Sequence, residues 1–387
     1  MTRAGVYLDY NASGLVRPQA AEAVADALAR GGNPSSVHQL GRAARRTVEQ
    51  AREQVAALAG AEPSQIIFTG GGTEANNQAI LGAAVSRVII SAIEHDSVHE
   101  MAFAGPFETD VVPVNGDGVA DAEALARLLT SGDERPTLVS VMLANNETGV
   151  IQPVQTIAEV AHSAGALVHC DGVQAAGKIA VDFKDLGVDM LSLSGHKIGG
   201  PQGIGALIVR AGLDLAPLLH GGKQERGHRS GTENVPGIAG FGAAAKVARE
   251  SLGEFTQLAA LRDRLESRVR DFAPDAPVHG ANGPRLPNTS CLSMPGVSSE
   301  TQVIAFDLEG IMVSAGAACS SGKVQASGVL TAMGAPEREV ESAVRVSLGW
   351  ASTPADVDRF VAAWSALHER LCSGEATPAA MRSACHG

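Results

Sequence analysis

The sequence predicts an α/β protein built on a mostly parallel sheet with helices on both faces. Two observations carry this reading. Short apolar runs bounded by polar turns alternate with stretches of helical periodicity, and strands buried on both faces read as unbroken hydrophobic runs. The chain has 387 residues, 45% of them hydrophobic and 19% charged. That is enough apolar side chain for a large core and enough length for more than one domain.

Taken in order, residues 18–30 place Ala21, Val24, Ala25 and Leu28 at helical spacing behind Pro18, a residue suited to the first turn of a helix. Residues 42–59 repeat the pattern with many alanines and arginines. Strand-like runs follow at Ile66-Ile67-Phe68, Val88-Ile89-Ile90, 138–142, 166–169, 190–193 and 206–209, with a helix expected over Val154–Ala164. No helix signal separates the last two runs, so one edge of the sheet is expected to be antiparallel. Beyond about residue 250 the texture changes. A long charged helix is predicted over 254–272, then a Pro/Gly-rich stretch over 274–287, shorter elements, and a final helix over 354–371. The expected organisation is a large α/β domain over 13–250, with residues 1–12 and 251–387 forming a smaller α+β domain.

Composition excludes several classes. Thirty basic against 42 acidic residues leave a net charge of −12, which argues against a nucleic-acid or anionic-membrane partner. Aromatics at 3% do not furnish a base-stacking platform. The five cysteines, Cys170, Cys291, Cys319, Cys372 and Cys385, include no C-x-x-C pair, so neither a disulfide scaffold nor a zinc ribbon is expected. His95 and His99 have the spacing of a helical metal pair, but no third ligand is evident, and no metal is expected. The N-terminal residues show no signal-peptide core and no run reaches membrane-helix length, so the expected location is the cytoplasm.

Three features point to chemistry. Thr69-Gly70-Gly71-Gly72-Thr73 follows a strand and opens a helix, where free N–H groups form an anion site. Asp171 ends the 166–169 strand run, with Gln174 three positions on. Ser194-Gly195-His196-Lys197 follows the next strand. Singly, each is more often structural: a turn, a cap, a solvated lysine. Together they supply what pyridoxal 5′-phosphate requires, namely an anion cradle, a Schiff-base lysine and a carboxylate for the pyridine nitrogen.

At these residues the chain resembles the cysteine desulfurases of the class V aminotransferases, enzymes of fold type I. The resemblance runs from Tyr7-Leu8-Asp9 to about Ser352. It includes Asn33-Pro34-Ser35-Ser36-Val37-His38, Glu94-His95, Asn145-Asn146-Glu147-Thr148-Gly149, Asp171-x-x-Gln174, Arg229-Ser230-Gly231-Thr232, Ala317-Ala318-Cys319-Ser320 and Arg345-x-Ser347-Leu348. It implies that Lys197 carries the cofactor and moves the Cα proton, that Asp171 pairs with the pyridine nitrogen, and that Gln174 bonds the phenolic oxygen with Asn146 close by. His95 would stack on the ring and act as acid and base. Gly72, Thr73, Ser194 and His196 would hold the phosphate, with Thr232 reaching across a homodimer. Arg345, with Asn11 nearby, would clamp the substrate carboxylate.

The small-residue stretch around Cys319, framed by Gly316 and Gly322, suits a loop better than a core. The implied activity converts L-cysteine to L-alanine, with sulfur passing to Cys319 as a persulfide and on to an acceptor protein such as an iron–sulfur scaffold or a sulfur relay. A selenocysteine lyase or a transaminase is the alternative among enzymes. A cofactor-free scaffold is disfavoured by the intact Lys197, Asp171 and Gln174 set. Cys170 and Cys291, in apolar context, are expected to be buried and inert.

Overall fold

The structure is a computed structural model and describes residues 5–130, 135–316 and 326–372. Strand β1 (Val6–Tyr7) opens the described chain. The central sheet is formed by β2 (Ile66–Thr69), β3 (Arg87–Ser91), β4 (Glu108–Val112), β5 (Thr137–Met142), β6 (Leu167–Asp171), β7 (Met190–Ser194) and β8 (Gly205–Val209). Their order is β2-β8-β7-β6-β5-β3-β4. Successive residues alternate between its faces. Ile66, Phe68 and Ile89 join one apolar cluster with the helices Gln39–Leu58 and Val235–Glu250, whereas Ile67, Val88 and Ile90 join another with Gly72–Gly82 and Asp96–Ala104. A side-chain period of two with both faces covered is why these strands read as continuous apolar runs.

The antiparallel strand is not at an edge, contrary to expectation. β8 runs against β7 on one side and against β2 on the other. The turn from β7 carries only the short helix Gly195–Ile198, too little for a parallel crossover. The edge beyond β8 is taken by β2 from earlier in the chain. At the other edge β4 has mostly half-exposed side chains, which is why no apolar run announces it.

β9 (Thr289–Ser293) belongs to a second sheet. β10 (Ile311–Met312) pairs in parallel with β1, and β11 (Ser314–Ala315) and β12 (Ala343–Ser347) complete the order β11-β12-β9. A separate apolar cluster, including Leu8, Val269, Phe306, Val346, Phe360 and Trp364, packs around these strands and the helix Pro354–Cys372. The charged helix expected over 254–272 is two pieces, Leu252–Thr256 and Leu258–Phe272, interrupted at Gln257. No described helix is long and apolar enough to cross a membrane.

Candidate active site

In open α/β sheets ligands sit beyond the carboxyl ends of the strands. Here those ends deliver the turn to Gly72 from β2, the turn to His95 from β3, the loop to Asn146 from β5, Asp171 from β6 and Ser194 from β7. They converge on a cavity of about 370 Å³, a volume suited to a small-molecule site. Its lining contains Asn11, Gly72, Thr73, His95, Asn146, Asp171, Gln174, Ser194, His196, Lys197 and Arg345, which are eleven of the thirteen residues singled out above. Thr232 is exposed and lies outside this lining. Cys319 is outside the described residues, as is Cys385; Gly316, three positions before Cys319, lines the cavity.

Asp171 is held from two sides. Its Oδ2 accepts from Asn76 Nδ2 at 2.7 Å and its Oδ1 from the Val173 N–H at 2.9 Å. Beneath it, His169 bonds Ser140 Oγ at 2.8 Å and Ser192 Oγ at 2.9 Å, and burial pushes its pKa down to about 4, so it is a neutral, satisfied core histidine.

Lys197 Nζ donates to the carbonyl oxygens of Asn11 (2.6 Å) and Ala12 (2.9 Å). Burial, with the nearby Arg345 guanidinium, lowers its pKa to about 8, so a useful fraction of free amine exists near neutral pH. His196 contacts Ser13 Oγ, and burial together with the Lys197 charge lowers it to about 4. His95 caps its helix: the Ser97 N–H donates into Nδ1 at 3.0 Å. That bond requires an unprotonated Nδ1, so the neutral ring carries its proton on Nε2.

Arg345 donates through Nη2 to Asp9 Oδ1 (2.7 Å) and through Nη1 to the Asn146 carbonyl (3.2 Å), while its buried Nε has no partner among the described residues. Asn11 Nδ2 donates to the same Asn146 carbonyl at 3.1 Å, so Asn11 and Arg345 share one acceptor. Beside them Glu147 accepts from Ser327 Oγ at 2.6 Å, and burial raises its pKa.

Sequence reasoning missed Asn76, Glu94, Asp9 and Lys178 as site residues. Asn76, Glu94 and Asp9 carried a signal, since they lie in the glycine-rich helix start, beside His95 and in Tyr7-Leu8-Asp9; Lys178 carried none. Glu94 Oε1 accepts from Ser91 Oγ and the Met142 N–H, Oε2 is buried without a partner among the described residues, and burial reinforced by the Asp171 charge raises its pKa to about 8. Cys170 and Cys291 are buried free thiols whose pKa values burial raises, as expected of inert core residues. Among the described residues no cluster of three or more His, Cys, Asp or Glu could hold a metal; His99 pairs with Glu100.

The family model "Aminotransferase class-V" matches residues 6–360. The chain belongs to the class-V aminotransferase family. Within this family it is 45% identical over 369 residues to a "Cysteine desulfurase" of Cereibacter sphaeroides, covering 92% of this chain and 94% of that one. It is 39% identical over 378 residues to "Cysteine desulfurase IscS" of Dictyoglomus turgidum, covering 95% of each. The solved NifS-like protein of Rickettsia africae superposes with a TM-score of 0.88 at 36% identity, covering 95% of this chain and 99% of that one.

Class-V aminotransferases use pyridoxal phosphate, and the residues present fit it. A Cβ on Gly72 would meet Val173 Cγ2 at 2.9 Å, so only glycine brings this helix start so close. Thr73, Ser194 and neutral His196 line the cavity beside it, a donor set of the kind an anion requires. Asp171 and Lys197 line the same cavity, the first shaped to accept from a ring nitrogen, the second an amine of lowered pKa.

Proposed function

We propose that the chain acts as a pyridoxal-phosphate-dependent cysteine desulfurase, with the balance L-cysteine + Cys319–SH → L-alanine + Cys319–S–SH. The single observation that carries this reading is the shared cavity of Lys197, Asp171 and Arg345, with Gly316 of the cysteine-bearing stretch on its wall. When bound, the cofactor supplies an electron sink for charge developing at the substrate Cα.

The protein's own residues do the rest. Gly72, Thr73, Ser194 and His196 anchor the phosphate. Asp171, held in place by Asn76 and the Val173 N–H, accepts from the pyridine nitrogen, and Gln174 and Asn146 face the phenolic side. Arg345 binds the α-carboxylate with donors left over from Asp9 and Asn146, and Asn11 buttresses that side. Lys197 takes the Cα proton as free amine and returns one. His95, with its proton on Nε2, delivers and collects protons at the thiol and the ring oxygen. The Cys319 thiolate attacks the substrate sulfur; the S–S bond forms as the Cβ–S bond breaks, and protonation at Cβ releases alanine.

The division into residues 13–250 and 1–12 with 251–387 assigns cofactor binding to the first unit and Arg345 and Cys319 to the second. Exposed Thr232 suits a phosphate contact in a second copy of the chain, hence a homodimer. The protein works in the cytoplasm and hands its persulfide sulfur to an acceptor protein, an iron–sulfur scaffold or sulfur relay. The deciding experiment quantifies alanine and sulfide from L-cysteine with the parent and Cys319→Ser. Loss of sulfur transfer with cofactor colour intact is expected. Undiminished sulfide release from Cys319→Ser refutes the nucleophile, and turnover of keto acids in place of cysteine refutes the desulfurase.

A further inference from the structure

Lys178 is 2% exposed, and a buried lysine without a carboxylate is rare. Its Nζ lies 2.6 Å from Asn11 Oδ1 and 2.6 Å from Gln174 Oε1. Both acceptors are identified as oxygens by their other bonds. Asn11 Nδ2 is committed to Asn146 O and Thr289 Oγ1, and Asn288 Nδ2 donates to Asn11 Oδ1 at 3.1 Å. Gln174 Nε2 donates to the Asn11 main-chain carbonyl at 2.9 Å. That carbonyl also receives Lys197 Nζ at 2.6 Å. One backbone oxygen thus serves Gln174 and Lys197, and Lys178 grips the side chains that fix it.

We propose that Lys178 is a positioning residue for Lys197 and Gln174: its amine clamps Asn11 and Gln174 and so sets where the Lys197 amine rests and which end of the Gln174 amide faces the cofactor. The proposal rests on the reading of Lys197 as the cofactor lysine. The charge balance agrees with it. The charged groups acting on Lys178 are Lys197 and Arg345, both cationic, and with burial they push its pKa well down. A neutral amine has two N–H donors, and two acceptors are in place. Lys178 and Lys197 also line one small chamber of about 10 Å³, room for a single water.

The test uses the full-length protein, cofactor-stripped and pyridoxal-phosphate-loaded, with Lys178→Met, which keeps the stem and removes the donors, and Lys178→Gln, which keeps a donor group. In the stripped protein, competitive amine labelling read by peptide mass spectrometry gives the pH titration of Lys197. In the parent its midpoint is expected near pH 8. In Lys178→Met, the loosened Asn11 carbonyl should no longer hold the ammonium form, and Lys197 should label at least ~3-fold faster at pH 7.5 by the usual tenfold-per-pKa-unit relation, with Lys178→Gln intermediate. In the loaded protein, the pH midpoint of the visible band should move in the same variants. Superimposable Lys197 titrations and band midpoints in a folded variant overturn the proposal and leave Lys178 a structural plug. If Lys178→Met does not fold, the same comparison with Lys178→Gln decides. A parent that stays colourless with pyridoxal phosphate sinks the cofactor reading instead, while the labelling arm still reports the coupling of the two lysines.

Discussion

Replacing Glu94 by glutamine should make the protein more stable, by an amount that grows with pH. The buried Oε2 has no donor among the described residues and Asp171 adds negative charge nearby, so ionised Glu94 is penalised in the folded state. Its pKa moves from 4.5 to about 8, and at ~1.4 kcal/mol per unit the full penalty is on the order of 5 kcal/mol. Between those pH values the folded chain holds a proton that the unfolded chain has released. Stability from this group is therefore complete below about pH 4.5 and is lost as pH rises through about 8. The Glu94→Gln variant has no such loss. Its amide oxygen can accept from Ser91 and Met142, as the acid does. Thermal unfolding of cofactor-stripped protein should show similar Tm values at pH 5 and a variant advantage of several kcal/mol at pH 8.5. In a cooperative unit of 150–250 residues each kcal/mol is worth roughly 2–4 °C. The stripped protein is the right sample because bound cofactor stabilises by mass action. A Tm difference that stays flat from pH 5 to 8.5 would refute the neutral-acid reading, and a difference of opposite sign would mean that Glu94 is ionised and paired.

Two further outcomes follow from side-chain geometry. Arg345→Lys keeps the charge but cannot span Asp9, the Asn146 carbonyl and a substrate carboxylate at once, so KM for L-cysteine should rise at least ~10-fold, or ~1.4 kcal/mol. Cofactor absorbance should not change; an unaltered KM removes Arg345 from substrate binding. The Arg52–Glu225 pair is bidentate at 2.8 and 2.9 Å and fully inside, and it also ties down the Ile66 carbonyl and the Phe68 N–H of β2. Arg52→Met alone should lose roughly 3–5 kcal/mol, because Glu225 is left charged and buried, whereas Arg52→Met with Glu225→Met should recover much of it. Denaturant melts check this; a single variant no worse than the double shows that the pair is not electrostatically coupled.

What the sequence disclosed, and what it hid, follows from the range of the interactions. Strands buried on both faces announce themselves because burial demands apolar residues at every position, as in 66–68 and 88–90. Edge strand β4, half-exposed along most of its length, has no such demand and stayed silent. The antiparallel β8 was legible from the missing helix before it. Its interior position was not, because β2 reaches it from more than 130 residues away. The same division runs through the site. Gly72, Asp171, Gln174 and Lys197 sit at strand ends beside local signals, so a reader of the chain could find them. Asp9 and Asn76 act through partners distant in sequence, and Lys178 joins one such partner, Asn11, to its near neighbour Gln174. Asp9 meets Arg345 across 336 positions, Asn76 meets Asp171 across 95, and Lys178 meets Asn11 across 167. A lysine at position 178 reads as an ordinary solvated residue after a glycine, and only the folded chain reveals that it is buried. Residues that touch the cofactor are constrained by chemistry and recur as motifs. The residues that aim them are constrained by packing, and it is in the packing that the Lys178–Asn11–Gln174 clamp becomes visible.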